Sequence, residues 1–361
     1  MLLPLVIATL LFISGFTLLA VWAERKVSAY IQDRLGPMET GPFGLFQTLA
    51  DVIKLVLKES IIPAAADRAL FVWAPVVIFV SVLAGFAALP WGPGVIGSRL
   101  DIGLLFILGV VAIDVIGMLM AGWGASNKYA LLGAARAVAQ IISYEIPAAA
   151  ALLAAVLLFG TLDLQQLTAA QGIYAAEPVR LWGLWDLSGT GGFPAWAVVR
   201  YPHLLLAWLI YFIASLAECN RAPFDIPEAE SELVAGFHVE YGGFRFALVM
   251  LSEYGKMLLV SLIGAVVFWG GWNTPLPNLP GLPLADWTTG APGTAAGLLW
   301  GLCWLLAKAF FFVFLQMWIR WTYPRVRVDQ LMQLGWKYLT PAALLLLALS
   351  AVWRVAETGG W

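Results

Sequence analysis

Eight apolar runs dominate the chain: residues 2–22, 69–89, 101–121, 137–159, 203–217, 244–269, 298–319 and 338–353. A helix rises 1.5 Å per residue, so about 20 apolar residues match the hydrocarbon core of a bilayer. There a backbone must satisfy its own hydrogen bonds. The apolar residues come in blocks and do not alternate, which argues against a β-barrel. Only 12 % of the 361 residues are charged and 61 % are hydrophobic, outside the range of soluble domains. These features predict an all-α polytopic membrane protein with one membrane domain over 1–361. The first run has no basic residue before it and is too long for a signal-peptide core, so it reads as a retained helix.

The connections alternate in charge. Segments 23–68, 122–136, 218–243 (with Arg245 at its edge) and 320–337 hold fourteen Lys and Arg, and the opposite set holds four. The positive-inside rule then puts the first set in the cytoplasm and both termini outside. Within the first set, "FGLFQTLADVIKLVLK", 43–58, places Phe43, Phe46, Leu49, Ile53 and Val56 on one helical stripe. Gln47, Asp51, Lys54 and Lys58 lie off it, which predicts an interfacial amphipathic helix behind the turn "GPMETGPFG". The outer loops 160–200 and 272–297, rich in Gly, Pro and Trp, carry no readable chemistry.

Charges at bilayer depth cost several kcal/mol unless hydrated or paired, so each is a candidate for function. Asp114, Glu145 and Glu253 fall roughly 12–14 Å in from the cytoplasmic ends of their runs, at matched depth. Lys256 is one turn beyond Glu253, and Lys308 lies near the midplane. One reading is a set of helix–helix ties. The matched depth of three acids followed by two lysines favours a proton or cation relay.

A second anomaly is "ECNRAPFDIPEAESELVAGFHVEY", 218–241, where Glu218, Asp225, Glu228, Glu230, Glu232 and Glu240 gather. Asp225 can cap a helix with Pro227 and Glu228 in its first turn. That leaves Glu230 unexplained, and Glu232 one turn beyond Glu228 repels it. Such a patch is either solvated or answers something that removes charge: protons, a basic docking surface, or a ligand that takes up protons on reduction. Cys219 and Cys303 are far apart, with no Cys-x-x-Cys pair for zinc or an iron–sulfur cluster. His203 and His238 read as helix-end residues, not metal or haem ligands. No metal or redox cofactor is expected on this chain, and any electron carriers are expected on others.

Five segments carry a resemblance: "AERKVSAYIQDRLGP", "GPFGLFQTLADVIKLVLKE", "SNKYALLGAARAVAQIISYE", "AECNRAPFDIPEAESELVAGFHVEY" and "IRWTYPRVRVDQLMQLGWKYLTP". Together they resemble the H-subunit family of bacterial proton-translocating NADH–quinone oxidoreductase (respiratory complex I), over about residues 20–345. The resemblance implies eight spans plus an amphipathic helix. It implies a membrane component that joins the redox arm to the pumping arm and forms most of the membrane part of a quinone tunnel. It maps tunnel-lining positions onto Arg25, Gln32, Arg34, Phe43, Gln47, Asp51, Lys54, Phe224, Phe237 and Arg320. The family's acidic path maps onto Glu145, Glu218, Glu228, Glu230, Glu232 and Glu253, to which the depth argument adds Asp114, Lys256 and Lys308. The implied substrate is ubiquinone or menaquinone. FMN and iron–sulfur clusters are implied on partner subunits, with redox-arm subunits at the cytoplasmic loops and small membrane and antiporter-like subunits alongside. Membrane lipid is a further partner, and nucleic acid is not expected. The implied location is the bacterial inner membrane.

Two departures stand out. Glu39 occupies a turn position that is basic in many members, and Ala112 stands where some carry a glutamate, with Asp114 two residues on. Two other readings compete: the membrane subunit of an energy-converting [NiFe] hydrogenase and a free-standing ion transporter. The full amphipathic-helix motif favours the quinone enzyme over the first, and the strongly marked cytoplasmic loops argue against the second. Five intramembrane charges are too costly for a third, a passive anchor, unless all pair.

Overall fold

The computed structural model describes residues 2–358 apart from 176, 184, 188, 229 and 280. The long helices are α1 (Leu2–Ile31), α3 (Arg68–Gly85), α6 (Lys128–Phe159), α9 (Pro202–Glu218), α11 (Gly243–Phe268), α13 (Ala295–Thr322) and α15 (Thr340–Thr358). Shorter helices are α2 (Gln47–Leu57), α4 (Gly103–Val111), α5 (Ile113–Gly124), α7 (Leu164–Ala169), α8 (Ala197–Arg200), α10 (Glu230–Leu233), α12 (Leu284–Thr289) and α14 (Val328–Gln333). Two small antiparallel ribbons, Pro90–Gly92 with Val95–Ile96 and Arg180–Leu181 with Trp185–Asp186, lie in the connections. Among the described residues, seven helical stretches are long and apolar enough to cross a membrane. The chain is an all-α polytopic membrane protein.

Helix α6 and helix α11 are the most buried of the spans. Helix α6 packs on α5, α9 and α15, and α11 packs on α3 and α13. Small residues in α6 (Ala130, Ala134, Ala137, Ala151, Ala155) are fully buried and let neighbours approach closely. Large apolar side chains such as Leu11, Trp73, Leu299 and Leu345 face outward, as a lipid-facing surface requires.

The helix ends depart from the apolar runs in ways that matter for the site. Helix α1 continues nine residues past the end of its apolar run at Trp22. The expected span 101–121 is two helices meeting at Ala112, and Asp114 sits in the first turn of α5. No backbone N–H caps the Asp114 carboxylate there among the described residues; its partner is a lysine of α11. The expected span 203–217 is α9, with 17 residues, shorter than the other seven crossing candidates. The last span begins at α14 and passes through one π-helical turn, Leu334–Leu339, into α15.

The amphipathic helix begins at Gln47, not at 43. Ahead of it Pro42–Gly44 forms a 3-10 turn with Phe43 in the left-handed region at φ 53°. Among the described residues no helix begins directly behind Asp225, so the cap read from the sequence is not made. The segment turns through 226–228, and α10 starts only at Glu230. The acidic loop is instead held by α6. Gln140 donates to the carbonyls of Ala217 (2.7 Å) and Phe224 (2.8 Å), and Asn127 donates to Glu240 (2.7 Å). At Gly236 (φ +62°) a Cβ would sit 1.9 Å from the Pro227 carbonyl oxygen, and one at Gly133 would sit 2.8 Å from Gly236. Glycine at both positions lets the loop close against the helix.

Candidate functional site

A cavity of about 600 Å³ opens between α1, α2, α11 and α13. That is the size of a ligand pocket. Apolar side chains such as Leu18, Val21, Val52 and Leu251 form most of its wall, with polar groups from α1, α2, α11 and α13 among them. Arg25, Arg34, Asp51 and Arg320 line it, as the resemblance implies. Asp51 accepts from Arg25 (2.6 Å) and from Gln47 (3.1 Å), and Gln47 in turn accepts from Thr40 (2.7 Å). The structure does not bring the other mapped positions to the wall. Gln32, Phe43 and Lys54 are exposed beside it. Phe224 is buried behind it against Tyr144, with ring centroids 5.5 Å apart, and Phe237 is packed under the loop.

The sequence does not single out the residue that organises the cavity. Glu24, 5 % exposed, faces Arg221 at 3.3 Å, pairs with Arg320 and accepts from the Tyr254 hydroxyl at 2.8 Å. Arg221 is 5 % exposed and lies over the Tyr254 ring at 4.4 Å. Glu24 sits just past the first apolar run and passes for a loop residue there. The continuation of α1 turns it inward.

Behind this group the charges continue into the bundle. Glu253 and Glu228 are within electrostatic range of Arg221. Glu253 then borders a void of about 10 Å³, the space of one water, together with Asp114, Glu218 and Lys256. Lys256 donates to Asp114 at 2.9 Å, both side chains almost fully buried. Asp114 therefore takes the lysine that spacing alone assigned to Glu253. Lys256, Glu145 and Asp114 all act on Glu218. Glu24 on the cavity wall, through its partner Arg221, thus leads by way of Glu228 and Glu253 to Glu218, Asp114 and Lys256, and on to Glu145. Carboxyl groups this close can exchange protons, and a lysine among them can shift which one holds the proton.

Three expected members lie apart or outside. Lys308 does not meet the acids. Its ammonium donates to the carbonyls of Gly271 (2.8 Å) and Asn273 (2.6 Å) and lies over the Trp196 ring at 4.1 Å. Both carbonyls lie in the loop that follows α11. Glu232 is exposed and bound to Arg136 at 2.6 Å, which answers its repulsion by Glu228. That guanidinium holds the Glu232 carboxyl below its usual range, so the pair forms at neutral pH and opens only as pH falls through the lowered value. The side chain of Glu230 lies outside the described residues. His238 stands in the loop beside Glu228, and burial lowers its pKa, which leaves the imidazole neutral at pH 7.

A family profile described as NADH dehydrogenase matches residues 4–351. The second H subunit of NADH-quinone oxidoreductase from Cytophaga hutchinsonii is 55 % identical over 358 residues, 97 % of this chain and 98 % of that protein. The H subunit of the same enzyme from Chlorobium luteolum is 53 % identical over 347 residues, 96 % of this chain and 87 % of its own. That of Anaeromyxobacter dehalogenans is 42 % identical over 348 residues, 95 % and 78 % of the two chains. With the helical membrane fold, these likenesses settle the assignment: the chain belongs to the NADH dehydrogenase family, as an H subunit of NADH-quinone oxidoreductase.

Proposed function

We propose that this chain forms the membrane wall of the quinone site of its complex and couples quinone reduction to proton movement. One observation carries the reading: ionisable groups follow one another from Glu24 and Arg320 at the cavity, through Arg221 and the Glu228 and Glu253 within its electrostatic range, to the one-water void that Glu253 shares with Glu218, Asp114 and Lys256. A quinone consumes two protons on reduction and passes through anionic states. Arg25, Arg34 and Arg320 are placed to attract the head group, and the apolar wall suits an isoprenoid tail. Charge appearing in the cavity shifts the Glu24–Arg221 pair, and with it the protonation of Glu228, Glu253 and Glu218. The buried lysine passes the change sideways, toward pumping subunits. Both termini lie outside the inner membrane in this reading. The cytoplasmic loops meet the redox-arm subunits that hold FMN and the iron–sulfur clusters.

The two acids that the sequence treats alike should now separate. In assembled complex, Glu228→Gln is expected to lower NADH-driven quinone turnover about tenfold, the cost of about 1.4 kcal/mol in the rate-limiting step. Glu232→Gln, which removes an exposed pair, should stay within about twofold. Steady-state rates normalised to complex content check this. Equal, near-normal rates for both variants would remove Glu228 from the path.

A further inference from the structure

The loop after α9 brings Glu228 and His238 against Glu253 of α11, with one ligand-capable atom from each residue within 4.8 Å of the others. His238 is 9 % exposed, and among the described residues its buried Nδ1 has no hydrogen-bond partner. Glu253 Oε1 is buried and equally unpartnered among them. The imidazole is fixed edge-on to Phe237 at 5.1 Å and tilted against Phe246 at 5.6 Å. Buried polar atoms are nearly always bonded, so a fixed, buried imidazole with Nδ1 unused, packed in reach of two carboxylates of which Glu253 Oε1 is also unused, points to a missing partner.

A cation with affinity for both nitrogen and oxygen supplies that partner. One imidazole nitrogen and two carboxylate oxygens are a donor set of zinc-class ions, with a fourth position open, whereas Mg²⁺ and Ca²⁺ require six or more oxygens. In a tetrahedral site the donor atoms stand about 3.3 Å apart, so these three need to converge by roughly 1 Å or a little more. The nearby cation that competes for these acids is Arg221: its Nη1 faces Glu24, and it lies within electrostatic range of Glu228 and Glu253. Among the described residues it makes no hydrogen bond to either acid, so their oxygens stay open to a metal ion. We propose that Glu228, His238 and Glu253 form a binding site for a divalent transition-metal ion of the zinc class, and that its occupancy inhibits the enzyme by fixing both carboxylates. The binding claim stands on geometry alone. The inhibition clause rests on the proton role proposed above.

The test uses purified, assembled complex and Zn²⁺ as the probe. Wild-type complex, desalted after loading, should retain one zinc more than His238→Gln complex. Without metal the two should turn over alike, and the midpoint for inhibition by Zn²⁺ should be at least about tenfold higher in the variant, since losing even an outer-shell partner of a metal ligand costs about 10- to 100-fold in affinity and His238 would be a direct ligand. Equal zinc content overturns the site. One zinc fewer with an unchanged inhibition midpoint keeps the site and overturns the inhibition, and with it the proton role of the two glutamates. If His238→Gln complex does not assemble, X-ray absorption at the zinc edge of loaded wild type decides. Imidazole nitrogen in the first shell supports the site, and oxygen alone overturns it.

Discussion

Glu24→Gln is expected to lower quinone turnover in assembled complex by about a hundredfold. Glu24 is the acid common to Arg221, Arg320 and the Tyr254 hydroxyl. Glutamine keeps the shape and removes the charge, which leaves Arg221 buried without its counter-ion. Breaking one partner of a buried ion pair costs about 3–5 kcal/mol. Part of that appears as lower abundance of the complex, and the rest as displacement of Arg320 at the cavity wall. Rates must therefore be normalised to assembled complex, and the quinone KM should rise along with the fall in kcat. A change within about twofold in both would place Glu24 outside the reaction.

The second large effect concerns the Asp114–Lys256 pair. Asp114→Asn and Lys256→Met each leave one charge deep in the bundle, and each should destabilise the protein by about 3–5 kcal/mol. The double replacement Asp114→Leu with Lys256→Met removes both charges and fills the space with apolar side chains, which is often neutral for stability. It should restore the amount of complex without restoring proton translocation in proteoliposomes. This separates the two meanings of an intramembrane charge. Normal pumping by the double variant would make the pair a helix–helix tie.

The bilayer is a severe solvent, and for that reason most of the architecture is legible in the sequence. Blocks of apolar residues and the stripe in 43–58 follow from hydrocarbon thickness and helical rise alone. What stays hidden lies where one helix answers another. Glu24 escapes notice because α1 outruns its apolar run and folds the acid inward. Lys256 pairs with Asp114, 142 positions away, and not with its helical neighbour Glu253. The break at Ala112 that puts Asp114 at a helix start has no proline to announce it. Lys308 resembles a relay member because a lysine inside a span is costly. The carbonyls of Gly271 and Asn273 that satisfy it come from a loop after a different helix. Phe224 and Phe237 flank the acids in the sequence and serve packing.

The proposed coupling rests on one event, a change in the protonation of the buried carboxyl groups when quinone is reduced. Redox-induced infrared difference spectroscopy of the assembled complex measures that directly. A protonated-carboxyl band should appear or shift when the quinone is reduced, and it should be lost in Glu253→Gln complex that still reduces quinone. A difference spectrum with no carboxyl change in the wild type, or an identical one in the variant, would contradict the account.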